Sequence, residues 1–200
     1  MFDDYVFQTG AANTSTEHFN RYAEDLTRRF GLTGKDLVVD IGSNDGTLLK
    51  AFRTYGTRIL GIEPAANIAR LANANGVRTL SEYFGPDTVD RIGRGVAQLI
   101  TANNVVTHVN DLDGFIKTVS AALAPHGIFS FEAPWVVDVL KNRSFDIVYH
   151  EHLSYFGLRS LSKVLEKHDL ELIDVEHFPD IHGGSLRGLV AHKGKFRKNS

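Results

Sequence analysis

The sequence predicts an α/β fold: an open seven-stranded sheet, mostly parallel with one antiparallel strand, covered by helices on both faces. Three observations predict it. Short apolar runs alternate with amphipathic segments along the 200 residues. One run, Leu37-Val38-Val39-Asp40-Ile41, breaks into a glycine-bounded turn, Gly42-Ser43-Asn44-Asp45-Gly46, that opens a helix. The last two runs are joined by the short connection His182-Gly183-Gly184, which has no room for a helix, so these strands pair antiparallel.

The elements follow in order. After a polar opening, Phe19, Tyr22, Ala23, Leu26 and Phe30 repeat near helical spacing and predict a helix over 15–30, capped by Ser15 or Thr16. Strand 37–41 leads to helix 46–54, strand 58–62 leads to helix 65–74, and a short strand lies at 77–80. Gly85-Pro86 opens a helix to Ile92. Strand 97–102 precedes Asn103-Asn104, and a helix covers 111–123. Pro125-His126-Gly127 turns the chain into strand 128–132, and 134–156 is less regular. Helix 158–167 leads to strand 170–177, and strand 186–192 comes last. Five alternating βα units closed by an antiparallel pair describe the Rossmann-like sheet of class I methyltransferases. No repeat, low-complexity tract or linker interrupts this order, so one domain is expected. Within it the expected division is an entry segment and helix over 1–34, acting as a lid, and a main body over 35–200.

Composition narrows the function. With 24 acidic and 22 basic residues the formal net charge is −2, so no nucleic acid or anionic membrane partner is expected. Lys193, Lys195, Arg197 and Lys198 read as a solvated tail. There is no cysteine, which removes disulfides, thiolate metal sites and cysteine nucleophiles together. No apolar run reaches membrane-spanning length, and Met1-Phe2-Asp3-Asp4-Tyr5 is not a signal peptide; a cytoplasmic protein with a small-molecule substrate is expected.

The glycine turn points to a cofactor. Gly42 and Gly46 let the backbone approach a ligand with no Cβ in the way, and Glu63, ending the next strand, suits both hydroxyls of a ribose. The turn is not G-x-G-x-x-G, so no glycine triplet awaits a pyrophosphate and a dinucleotide-dependent oxidoreductase is disfavoured. An adenosine without phosphates fits better, and S-adenosyl-L-methionine is such a cofactor.

Five segments then occur in a telling order: Val38 to Gly46; Gly61-Ile62-Glu63-Pro64; Asn103-Asn104-Val105 with His108; Tyr149-His150-Glu151-His152-Leu153-Ser154-Tyr155; and His182-Gly183-Gly184-Ser185-Leu186-Arg187. Together they resemble the sugar C-methyltransferases, such as the 3-C-methyltransferases acting on nucleotide-linked 4-keto sugars in deoxysugar biosynthesis. The opening Tyr5-Val6-Phe7-Gln8-Thr9-Gly10 is similar to that family's entry segment. The first two segments are general to methyltransferases; the last two are specific to this family. Its members also carry a cysteine-rich zinc module and a C-terminal domain, so this chain looks like the catalytic domain alone.

Methylating carbon beside a carbonyl requires a base at the C–H, donors for the resulting enolate, and a methyl group held in line. Histidine suits the base because its ordinary pKa lies near operating pH. The resemblance implies that His152 is this base. Tyr149 then donates to the developing oxyanion, Glu151 orients a donor or a substrate hydroxyl, and His108 is a second contact near the reacting carbonyl. It implies further that Gly42, Asn44 and Gly46 surround the methionine portion of the cofactor and that Asp40 orients the loop or the cofactor amine. Asn103 lies near the amine or methyl end, Ser81 and Glu82 lie at the adenine edge, and Tyr5 and Phe7 fold over the site. His182 and Arg187 are the expected substrate contacts. His150 and His152, as alternate residues of a strand, form a pair that chelates metals, but no third ligand is near and position 154 is serine, so no metal is expected. Two other readings stay open: an O- or N-methyltransferase of a small molecule, and a cofactor-binding domain without turnover.

Overall fold

The computed structural model describes residues 13–179 and 184–196, so Tyr5, Phe7 and His182 lie outside the described residues. Five β-strands alternate with helices before a final antiparallel pair. They are β1 (Leu37–Ile41), β2 (Arg58–Ile62), β3 (Thr79–Leu80), β4 (Ala97–Asn103), β5 (Leu123–Pro134), β6 (Leu170–Phe178) and β7 (Ser185–His192). The helices are α1 (Asn13–Phe30), α2 (Thr47–Thr54), α3 (Ala66–Ala74), α4 (Pro86–Ile92), α5 (Leu112–Ala122), α6 (Val136–Asn142) and α7 (Leu158–Glu166). The strands lie in the order β3-β2-β1-β4-β5-β7-β6, with β7 antiparallel to both neighbours and the other pairings parallel. Strand order reverses between β1 and β4, where open α/β sheets bind ligands outside the strands' carboxyl ends.

Consecutive side chains of a strand point to opposite faces, and this divides the core in two. Val39, Ile100, Phe129 and Val190 join one apolar cluster with Ile116 and Val119 of α5 and Leu161 and Leu165 of α7. Their neighbours Val38, Leu99, Ile128 and Leu189 join the other, with Tyr22 and Leu26 of α1 and Leu49 and Phe52 of α2. Helix α1 is therefore a wall of the core: Tyr22, Ala23 and Leu26 are fully buried.

The position of β7 has a physical cause. Seven of its eight residues are buried, whereas β6 carries Glu171, Asp174 and Glu176 at a partly exposed edge. Arg187 of β7 stands in register between Glu132 of β5 and Glu176 of β6, so a cross-strand ion pair on each side fixes the alignment. Gly188 faces Phe131, whose ring occupies the space a Cβ would need.

Two boundaries differ from the sequence reading. Strand β5 pairs from Leu123 onward, and Pro125-His126-Gly127 forms a bulge within it, with Pro125 and His126 exposed. The stretch 134–156 contains α6 and a 3-10 turn, Phe145–Ile147. Among the described residues no helix is long and apolar enough to cross a membrane.

Candidate active site

The carboxyl ends of β1, β2, β4 and β5 open into one cavity of about 1610 Å³. Its first wall is the turn after β1. Gly42 (φ 67°), Asn44 (φ 49°) and Gly46 (φ 78°) are all left-handed, a conformation cheap for glycine and tolerated by asparagine. The Gly42 N–H donates to the Ile62 carbonyl at 2.8 Å, which ties the turn to β2. A Cβ on Gly42 would stand 2.6 Å from Cγ2 of Val105, and one on Gly46 2.8 Å from Cγ1 of Val77.

Glu63 closes this wall. One carboxylate oxygen accepts the Asn44 N–H and the other the Ala65 N–H, both at 2.9 Å. Burial raises its pKa, and those two donors act against the rise. Each oxygen keeps a lone pair for a further donor, as a pair of ribose hydroxyls requires. Asp40, fully buried below the turn, accepts the Thr101 hydroxyl at 2.6 Å. Burial pushes its pKa up to about 7; Thr101 lowers it and Glu63 raises it further. Oδ1 of Asn103 and Oγ of Ser43 are buried polar atoms without a partner in the described structure. Tyr83 and Phe84 line the cavity, whereas Ser81 and Glu82 do not, and Glu82 pairs with Arg91 at 2.8 Å.

The opposite wall holds the histidine motif. Residues 149–152 form a turn, closed by the His152 N–H donating to the Tyr149 carbonyl at 3.0 Å. The N–H groups of Leu153 and Ser154 donate to the Thr107 carbonyl at 2.8 and 3.2 Å, which brings this turn against His108. The rings of His108 and His152 meet edge to face at 4.7 Å. His152 Nδ1 lies 2.8 Å from the Ile147 carbonyl, an acceptor only, so Nδ1 carries the proton and Nε2 is left as the acceptor. The Tyr149 hydroxyl, 3.2 Å away, donates to that Nε2. Burial and the neighbouring His152 lower the pKa of His108, while partial burial and Glu151 raise that of Tyr149. His108, Tyr149, Glu151 and His152 all line the cavity; His150 does not, and is exposed. The alternate-residue geometry of a strand is thus missing for His150 and His152, and among the described residues no three His, Cys, Asp or Glu side chains form a metal-holding group.

Arg187 corrects a second expectation. It is 4% exposed and lies behind the cavity wall, not in it. Its Nε and Nη2 donate to Glu132 at 2.9 and 2.5 Å, its Nη1 to Glu176 at 3.0 Å, and its guanidinium lies 3.6 Å above the Tyr22 ring. Three of its five N–H groups are thus committed to carboxylates. What the cavity does receive from the network is His18 of α1, whose Nε2 lies 3.0 and 2.9 Å from the two oxygens of Glu132. Burial would raise the pKa of Glu132, but His18 and Arg187 together hold it below the ordinary carboxylate value. His18 was missed. It does carry a signal, because it precedes Tyr22 by four residues and Leu26 by eight and so shares their inward stripe.

A sheet of this strand order, with a glycine-cornered turn after β1 and a cavity on its rim, is the fold of the class I methyltransferases. The model of the methyltransferase domain family matches residues 15–175. C-methyltransferase NovU of Streptomyces niveus is 39% identical over 188 residues, 93% of this chain and 44% of the relative. A ubiquinone biosynthesis O-methyltransferase of Methylobacterium sp. (strain 4-46) is 32% identical over 46% of this chain and 38% of its own length. Thus the chain spans less than half the length of these curated relatives. Among solved structures, magnesium protoporphyrin IX methyltransferase of Synechocystis PCC 6803 with bound S-adenosylhomocysteine superposes with a TM-score of 0.68 at 11% identity, covering 89% of this chain and 83% of that one. Geranyl diphosphate methyltransferase in complex with S-adenosylmethionine gives 0.66 at 14% identity, covering 91% of each chain. At such identities these structures establish the fold alone. The chain belongs to the methyltransferase domain family, and S-adenosyl-L-methionine is the cofactor these findings support.

Proposed function

We propose that this domain catalyses C-methylation of a carbon beside the carbonyl of a nucleotide-linked deoxy keto sugar. The observation that carries the reading is the placement of His152 Nε2, Tyr149 and His108 on the same cavity as the 42–46 turn and Glu63. The 39% identity to a C-methyltransferase supports carbon over oxygen as the acceptor.

Glu63 holds the ribose, Asp40 and the 42–46 turn hold the methionine end, Asn103 offers its unpartnered Oδ1 to the cofactor amine, and Tyr83 and Phe84 border the adenine. S-adenosylmethionine, when bound, supplies an electrophilic methyl on sulfonium. His152 takes the proton from the C–H beside the carbonyl at Nε2, the nitrogen its bond to Ile147 leaves without a proton. Tyr149 turns its hydroxyl from His152 to the enolate oxygen as that charge develops. His108, kept neutral by burial, leaves no second positive charge against the imidazolium that forms. Glu151, on the same turn, orients the sugar. Tyr5, Phe7 and His182 keep the roles given above, as lid and substrate contact.

The test is transfer of a labelled methyl from S-adenosylmethionine to a nucleotide-linked 4-keto-6-deoxyhexose in deuterated water. Label on carbon, with solvent deuterium entering that carbon in unreacted acceptor, is the expected result. His152→Ala should slow transfer by about 10²–10⁴-fold and abolish the exchange, while S-adenosylhomocysteine still binds. Label on a heteroatom would sink this reading in favour of the O-methyltransferase one, which the partial match to ubiquinone O-methyltransferases favours.

A further inference from the structure

The cavity has a second anchored imidazole on a different element from His152. His18 Nε2 approaches both oxygens of Glu132, and Arg187 clasps one of those oxygens through two of its own nitrogens. Arg187 is in turn held by Glu176 and by stacking on Tyr22, so the carboxylate cannot swing away from His18. Glu132 is acceptor-only when ionised, and the cause that keeps it ionised is this same pair of partners. An ionised carboxylate only accepts, so Nε2 carries a proton, and Nδ1, which has no hydrogen-bond partner among the described residues, is the nitrogen left for a ligand. A buried guanidinium–carboxylate pair is a poor device for stability alone. Here it ends in an imidazole on the cavity wall, and a carboxylate behind a histidine is how a tautomer is fixed for work on the other nitrogen.

The geometry points to His18 as a specificity-determining contact: its Nδ1 accepts a hydrogen bond from a hydroxyl of the acceptor, with Glu132 and Arg187 as positioning residues. Glu132 stands in register with Asn103, the residue assigned to the cofactor's amine end, and His18 lines the same cavity as both. The occupant is thus a hydroxylated acceptor, its hydroxyl adjacent to the reacting carbon. The inference rests on the keto-sugar reading and narrows it.

Two measurements on the full chain test it. In ¹⁵N NMR of the ligand-free protein above neutral pH, His18 should show a protonated Nε2 and a bare Nδ1; a proton on Nδ1 overturns the inference. The second measurement compares methyl transfer to the nucleotide-linked 4-keto-6-deoxyhexose with transfer to its analogue lacking the adjacent hydroxyl. His18→Gln keeps a donor to Glu132 and places nothing at Nδ1. It should raise KM for the hydroxylated acceptor about tenfold, with a smaller change in kcat, and leave KM for the deoxy analogue and S-adenosylhomocysteine affinity as they were. His18→Asn, which keeps an acceptor near Nδ1, should recover part of the loss. A wild-type KM in His18→Gln, or an equal rise for both acceptors, reduces His18 to an anchor of α1 and overturns the inference while leaving C-methylation intact. Absence of transfer to carbon by the wild-type chain instead brings down the keto-sugar reading, and this inference with it.

Discussion

Replacing Glu63 by glutamine separates what this side chain does for the fold from what it does for the cofactor. Each carboxylate oxygen accepts one backbone N–H at 2.9 Å, from Asn44 and from Ala65. Glutamine has a single carbonyl oxygen, so one of these buried donors must face an NH₂ group. An unmade bond of this kind costs about 1–3 kcal/mol. Burial already disfavours the carboxylate, and the neutral amide recovers part of that cost. The net loss of unfolding free energy is therefore placed at the low end, about 1 kcal/mol. Binding suffers more. A ribose presents two hydroxyl donors, and the amide accepts only one, uncharged where the native bond is charge-assisted. Losing a charged hydrogen bond of about 1.5–3 kcal/mol corresponds to a 10- to 100-fold weaker Kd for S-adenosylhomocysteine. Calorimetry with S-adenosylhomocysteine reads the affinity and urea unfolding reads the stability. A Kd within about threefold of wild type, measured on a folded variant, would refute the assignment of Glu63 to the ribose.

Three further outcomes follow from the same geometry. Gly42→Ala forces φ 67° on alanine and drives its Cβ against Val105; it should cost about 1–3 kcal/mol by urea unfolding, and Val105→Ala should return only the steric part. Asp40 has a folded pKa of about 7 against an ordinary 3.8. The native state therefore binds this proton more tightly than the unfolded chain does, and stability falls as pH rises from about 4 to 7. Asp40→Asn, which still accepts from Thr101, should remove that slope, with a gain over wild type at pH 8 of up to about 4 kcal/mol; parallel stability–pH curves for the two proteins would contradict the buried-acid account. Arg187→Ala leaves Glu132 buried with only His18 beside it and should destabilise by about 3–5 kcal/mol, whereas Arg187→Met paired with Glu132→Leu should restore most of this in thermal unfolding. Failure of the double variant to recover would mean the stacking on Tyr22, not the ion pair, holds β7.

Most of the scaffold is legible in one dimension because its cause is local. Apolar alternation sends Val38 and Val39 to opposite faces wherever the strand lies, and a glycine turn between strand and helix needs left-handed backbone at Gly42 and Gly46 in any setting. The same holds for Glu63 at the end of β2 and for the antiparallel closing pair. The histidine motif is legible as chemistry, since its residue types suit proton transfer, but its geometry is not. The 149–152 turn itself is closed by a local bond, but that Thr107 draws it against His108 depends on backbone bonds spanning more than forty residues.

The remainder depended on packing between distant segments. Sequence spacing places Arg187 on a strand and near a motif, but only the insertion of β7 between β5 and β6 sets it between Glu132 and Glu176. His18 likewise belongs to the site through a contact 114 residues away, which no local pattern encodes. Periodicity declares which face a side chain occupies; which charges it meets there is settled when the strands choose their neighbours.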